Sequence, residues 1–461
     1  MAAGGAFRFG FGVGCVVLAG AVACLSATGC FLDAGPLPGS SPLQGGGGSA
    51  ETASTGQGAD GGVALLCGNE AVEGEELCDG ANLKGRTCEG IGYPPGELKC
   101  TETCVLDASG CNQGEPWWDN TWGYRMRVKV DGSMTEGVLD DFTVLIPITN
   151  AALSNALGSG EDIVFIPVGK TAPLAHEIEY FNQSSGILIA WVRFPTIQPS
   201  QVYELMMYFG NPAAVPKSGS AWETGFAGVW HMSEQAIDAG TTTVHKNSAG
   251  ADYDGEQNGN LSGPGKIGVG QSFDGTDWIS IKNGGAIALS DATCSIAAWI
   301  RTTVNEERAL ITKTPNGTHG QSDVLTGVGH DGPYFGMDQY FVDFVRGTTN
   351  VTDGKWHYVV WSQTRNAGGG GQDEWRVFVD GAKEAQEEHH MNSDNSGHII
   401  QIGKGVPSSY FSGSWKGQID EVRISKVDRP AEWVLATFNN QNTPEKYVTH
   451  DQIQKVPPPP P

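Results

Sequence analysis

The densest group of reactive side chains in this sequence is sulfur. Cys67, Cys78, Cys88, Cys100, Cys104 and Cys111 crowd into one short segment, three more cysteines precede it, and Cys294 stands alone. An even set in a short stretch is the pattern of a disulfide framework, and spacing alone leaves the pairing open. Zinc is the rival occupant, but the segment has no Cys-x-x-Cys, only Cys100-x-x-x-Cys104. Carboxylates offer a second chemistry. Glu177 and Glu179 stand two apart, which puts both on one side of a strand, and paired carboxylates cleave glycosidic bonds. Their setting, His176-Glu177-Ile-Glu179-Tyr180, begins like a zinc-protease motif but has Tyr180 where the second histidine is needed. The pair therefore reads as the polar face of an exposed strand. Glu73, Glu75, Glu76 and Asp79 read as a solvated acidic loop rather than a calcium site. His389, His390 and His398 read as members of a polar loop rather than a transition-metal site. Gly-x-Ser-x-Gly, complete His-Glu-x-x-His, phosphate-loop and dinucleotide patterns are all missing from the sequence. The expectation is a protein that is not an enzyme.

The elements that would position these residues are strands. Gly (66) and Pro (24) are plentiful, charged residues make up only 17% and Trp reaches 13, a composition of frequent turns and aromatic runs that points to an all-β chain. Helix is expected at most for a turn or two between Pro430 and Asn439. The formal net charge of −24 repels phosphate backbones, so nucleic acid is not an expected partner.

The chain divides into six parts. Residues 1–29 carry Arg8, an uncharged apolar run and then small residues, the pattern of a secretory signal. The approach to Cys30, Ala27-Thr28-Gly29-Cys30, resembles a bacterial lipoprotein box, which implies lipid attachment at Cys30, a membrane tether and a location at the bacterial envelope or cell surface. Residues 30–63 are Gly, Ser, Pro, Ala and Thr, too polar and small to bury a core, and read as a disordered spacer. Residues 64–114 form the cysteine-rich module. Its opening, Cys67-Gly-Asn-Glu to Cys78-Asp79-Gly-Ala-Asn82, resembles the short cysteine-rich repeats of myxobacterial surface proteins. Residues 115–227 hold strand-like runs punctuated by Pro and Gly-Asn. Residues 228–448 hold the alternating pieces Phe273-Asp274-Gly275, Gly354-Lys-Trp356-His357-Tyr358, Val377-Phe378-Val379-Asp380-Gly381 and Ile419-Asp420-Glu421-Val422-Arg423-Ile424. Residues 449–461, ending in five prolines, read as a disordered tail.

Two further resemblances follow from these pieces. Trp122-Gly-Tyr124-Arg125, Trp191-Val-Arg-Phe-Pro195 and Tyr208-Phe-Gly210-Asn211-Pro-Ala213 resemble a bacterial domain of unknown function, which implies a β-sandwich and no known activity. From Val229-Trp230-His231-Met232 onwards the set resembles a laminin-G-like (concanavalin A-type) jelly roll. That fold implies surface recognition. Its members often carry one calcium on the sandwich rim, and the matching carboxylates here are Asp274 and Asp420. Trp299, Trp356, Trp361 and Trp375 alternate with polar residues and read mostly as core, and Cys294 as a buried thiol.

The resulting expectation is an all-β, lipid-anchored surface protein with two β-sandwich domains that bind a glycan or an extracellular protein, with calcium as the one implied cofactor. A glycoside hydrolase or lyase using the sandwich cleft, and a purely structural envelope protein, are the alternatives.

Overall fold

The structure, a computed structural model, describes residues 67–457 apart from 75, 112–115, 215–219, 223–224, 241–242, 251, 316–323, 340–342 and 391–396. The expected signal, Cys30 and the spacer 30–63 lie outside the described residues. Among the described residues, no helix is long and apolar enough to cross a membrane. The protein is all-β.

The cysteine-rich module has one two-stranded ladder, Lys99–Cys100 with Leu106–Asp107. Its small core holds Leu98 and Ala108 around the Cys88–Cys111 bridge. So little apolar surface cannot offset chain entropy alone, and the cross-links restrict the unfolded chain instead. The pairs are Cys67–Cys104, Cys78–Cys100 and Cys88–Cys111, as a disulfide framework requires. Asp79 is buried, and its carboxylate accepts the N–H groups of Gly68, Asn69 and Glu70.

The middle domain is a sandwich of four strands on three. The four-stranded sheet runs Val448–Lys455, Tyr124–Asp131, Val202–Phe209, Val164–Pro167, and the other runs Leu139–Thr149, Ile187–Ile197, His176–Asn182. Alternation explains the faces. Met126, Val128 and Val130 are fully buried, whereas Arg127 and Lys129 point out to Glu204 and Asp451.

The strand Val448–Lys455 corrects the expected disordered tail over its first part, 449–455, while residues 458–461 lie outside the described residues. It pairs antiparallel with Tyr124–Asp131, Ile453 packs against the sandwich core, and the Lys455 N–H donates to the Gly92 carbonyl of the cysteine-rich module. A segment with only two apolar residues carries no strand pattern of its own. An unpaired sheet edge elsewhere in the chain supplies the partner.

The jelly roll comprises two eight-stranded sheets. The front sheet runs Val244–His245, Gly255–Asn258, Trp278–Ile281, Ile399–Ile402, Arg308–Thr314, Val324–Gly329, Gly332–Gln339, Asp343–Arg346. The back sheet runs Leu261–Pro264, Val269–Asp274, Lys416–Ser425, Cys294–Arg301, His357–Thr364, Asp373–Val379, Ala382–His389, with Phe226–Trp230 also paired to Lys416–Ser425. Between the sheets lie Trp230, Trp361, Trp375, Trp415 and the buried Cys294. Burial pushes the Cys294 thiol well up from its ordinary value. Trp299 is equally buried but faces the other way, and Trp356 is half-buried beside it.

What covers the outer side of the back sheet is a helix, Ala431–Asn442, of 12 residues where the sequence suggested a turn or two. Val434 and Phe438 pack on Trp299, Tyr358 and Phe378, while Ala436 and Trp433 pack into the middle sandwich. The expected boundary at 448 is therefore crossed: Tyr447 and Val448 also belong to the middle core. Periodicity concealed the helix because both of its faces are buried, so it shows no clean polar stripe.

Candidate functional site

Asp274 and Asp420 do not meet. Asp274 pairs in register with Lys416, and Asp420 lies four residues further along the same strand, about 13 Å away at 3.3 Å per residue. Asp274 is exposed and accepts from the Thr276 N–H and hydroxyl, both at 2.7 Å, which caps the turn at Gly275. Those two bonds hold its carboxyl below the usual range. Asp420 is fully buried, and its Oδ2 accepts the N–H groups of Lys266 and Ile267 at 2.7 and 2.8 Å. It closes the loop before Val269–Asp274 onto the back sheet. A shared calcium site on this pair is thus corrected by the strand register.

Beside Asp274 the sandwich rim forms a shallow, open depression of about 460 Å³. Its walls come from the ends of three back-sheet strands and include Ser272, Arg301, Thr303, Lys416 and Gln418. Arg301 is exposed, and its Nε donates to the Gly354 carbonyl at 2.8 Å, which fixes the guanidinium at the mouth. The Thr302 hydroxyl donates to the Lys416 carbonyl at 2.7 Å and holds two walls together. Gly417 has φ +145°, and a Cβ there would strike the Arg301 carbonyl at 2.3 Å, so the close approach of these strand ends requires glycine. The depression therefore presents two cations and several donors on a preformed rim.

A second constellation is buried between the sandwiches. Glu177 and Glu179, from the His176–Asn182 strand, meet His231 and the back-sheet residues Glu421 and Arg423. The side chains of Glu179, His231 and Glu421 are 1%, 6% and 0% exposed, and that of Glu177 is 28% exposed. This corrects the reading of Glu177 and Glu179 as an exposed polar face. The His231 Nδ1 stands 2.7 Å from Glu421 Oε1 and 3.6 Å from Glu179 Oε2, and its Nε2 stands 3.5 Å from Glu177 Oε2. The imidazole lies against Trp191 and Trp222, and the Arg423 guanidinium covers the same two rings. The indole N–H of Trp222 and the Ser248 hydroxyl each donate to Glu177 at 2.6 Å, and the Trp191 indole donates to Glu179 at 2.7 Å.

Charge within this seam is tightly coupled. Burial, with the Glu421 carboxylate alongside, pushes Glu179 up to about 8 against the pull of His231. Burial also opposes ionisation of Glu177, but the His231, Ser248 and Trp222 donors outweigh it and bring Glu177 down to about 2. His231 is held well above its ordinary value because the surrounding carboxylates outweigh the cost of burying its charge.

Sequence reasoning missed this group because its members lie far apart in the chain. A signal was nonetheless present at one member: His231 stands between the apolar run Phe226–Trp230 and Met232, and a polar residue at such a position requires partners. Of the histidines read as a loop, His389 ends the strand Ala382–His389, lies against Trp375 at a tilt and sits 2.9 Å from Asp343.

Comparison with known proteins follows the same division. Residues 273–435 match the family described as the concanavalin A-like lectin/glucanases superfamily. Residues 159–234 match a domain of unknown function, DUF2341. These agree with the two sandwich resemblances seen in the sequence. No curated protein matches the chain. Among solved structures, domain 4 of AbnA, an extracellular arabinanase from Geobacillus stearothermophilus in complex with arabinotriose, is 14% identical, with a TM-score of 0.32 over 46% of this chain and 98% of that one. A Ruminococcus gnavus sialidase CBM40 bound to α2,3-sialyllactose is 14% identical, with a TM-score of 0.31 over 37% of this chain and 96% of that one. The Trypanosoma rangeli sialidase is 11% identical, with a TM-score of 0.36 over 57% of this chain and 42% of that one.

Proposed function

We propose that this protein is a non-catalytic recognition protein of the bacterial envelope, exported, tethered through Cys30, and binding a glycan or an extracellular protein at the jelly-roll rim. The observation that carries this reading is the depression of about 460 Å³ walled by Arg301, Lys416, Gln418 and Ser272. Two cations and neighbouring hydroxyl and amide groups side by side on an open depression suit hydroxyl- and carboxylate-bearing ligands. Placement of the acids supports the absence of catalysis: Glu179 and Glu421 are buried between domains, whereas the walls of the open depression are cationic. Three disulfides support an oxidising compartment.

The test is binding of the mature chain to glycan and extracellular-protein arrays, with and without calcium. Captured ligands should bind at least about tenfold more weakly to Arg301→Ala and Lys416→Ala, the cost of one lost charged contact. Binding to nothing on either array would count for a structural role, and release of reducing sugar from a polysaccharide would replace this reading with a hydrolase.

A further inference from the structure

We propose that Glu179, His231 and Glu421 form a binding site for one divalent transition cation, of the zinc class, that pins the middle sandwich to the jelly roll. Their donor atoms, two carboxylate oxygens and one imidazole nitrogen, all lie within 4.8 Å of one another. A cation about 2.1 Å from each ligand needs donors roughly 3.0–3.5 Å apart, so the observed 2.7 and 3.6 Å separations around Nδ1 require only small side-chain shifts. A second observation points to a ligand. Glu179 Oε1 is buried with no hydrogen-bond partner among the described residues, and an orphaned carboxylate oxygen at such depth is costly.

The surroundings are those of a metal site's supporting shell. Glu177 stands 3.5 Å from the far nitrogen of His231, which has no hydrogen-bond partner among the described residues, so a small shift would make the carboxylate–histidine bond that leaves Nδ1 to the cation. Glu177 is itself held by Trp222 and Ser248, Glu179 by Trp191, and Glu421 by Arg423 at 2.7 Å on its outer oxygen. Charge fits as well. On binding, the ion takes the place of the protons on His231 and Glu179: the carboxylates of Glu177, Glu179 and Glu421 then stand against the single fixed cation Arg423 beside a neutral imidazole, and one divalent ion cancels the two remaining negative charges. The mixed nitrogen and oxygen set favours a borderline transition cation over calcium, which takes six or more oxygens. The ligands come from both sandwiches, so binding adds directly to the stability of the seam.

The full mature chain should be unfolded in chelator, refolded with one equivalent of zinc or cobalt(II), and desalted. Elemental analysis is expected to give about one metal per chain, and the cobalt form to absorb in the visible region as a nitrogen- and oxygen-ligated site. Glu179→Gln should lose the stoichiometric metal, Glu177→Gln should weaken its retention about 10–100-fold, and Asp353→Asn, remote from the seam, should keep it. The wild-type measurement stands alone if a seam variant fails to fold. A refolded wild-type chain that holds no metal, with the seam balanced by protons instead, would overturn the proposal. So would metal retained equally by Glu179→Gln, which would place the ion elsewhere.

Discussion

The helix between the sandwiches is latched by one amide, and removing it should have a large effect. Leu145 lies on the Leu139–Thr149 strand, which forms an edge of its sheet, so its outward N–H and C=O have no strand to pair with. Asn440 takes both: the Leu145 N–H donates to Oδ1 at 2.7 Å, and Nδ2 donates to the Leu145 carbonyl at 3.1 Å. Both residues are buried, at 2% and 1% exposure. Asn440→Ala strips two buried backbone groups of their partners. At about 1–3 kcal/mol for each of the two orphaned groups, the expected loss is about 2–6 kcal/mol. Urea unfolding of the mature chain, followed by tryptophan fluorescence, should show the midpoint falling by about 1 M at a slope near 3 kcal/mol per M. Asn440→Asp keeps the acceptor but sets a carboxylate against the Leu145 carbonyl, so it should not restore stability. A loss below about 1 kcal/mol for Asn440→Ala would refute the idea that this amide stands in for a missing strand.

Two further outcomes are expected. His357 lies between Asp380 at 2.8 Å and Asp353 at 3.1 Å, and against the pull of partial burial these carboxylates hold it above its ordinary value. Its contribution is therefore complete below the unfolded value near about 6.5 and fades as pH rises through the folded one. His357→Gln should lower the melting temperature by about 2–4 °C more at about pH 5.5 than at about pH 9, and an equal loss at both would count against the ion pairs. Truncation after Tyr447 removes the Val448–Lys455 strand and exposes the Tyr124–Asp131 edge. Light scattering should show association of the shortened chain at concentrations where the intact chain stays monodisperse, and unchanged scattering would mean that the edge is protected by other means.

Much of the architecture was legible in the residues themselves. Alternation along Tyr124–Asp131 and the Asp-Gly and Gly-Lys-Trp-His phrases of the jelly roll are local patterns, because a strand's faces and a turn's glycine are dictated by neighbours in the chain. The six clustered cysteines likewise announced a cross-linked module. Their pairing, the strand Val448–Lys455 and the meeting of Glu179 with His231 and Glu421 depend on surfaces contributed from tens to hundreds of residues away. No spacing encodes such encounters, since a half-polar segment or a lone buried acid acquires its role only when another part of the chain supplies the edge or the opposite charge. Local chemistry determined which elements form, and packing between them decided which of their polar groups are brought together out of water.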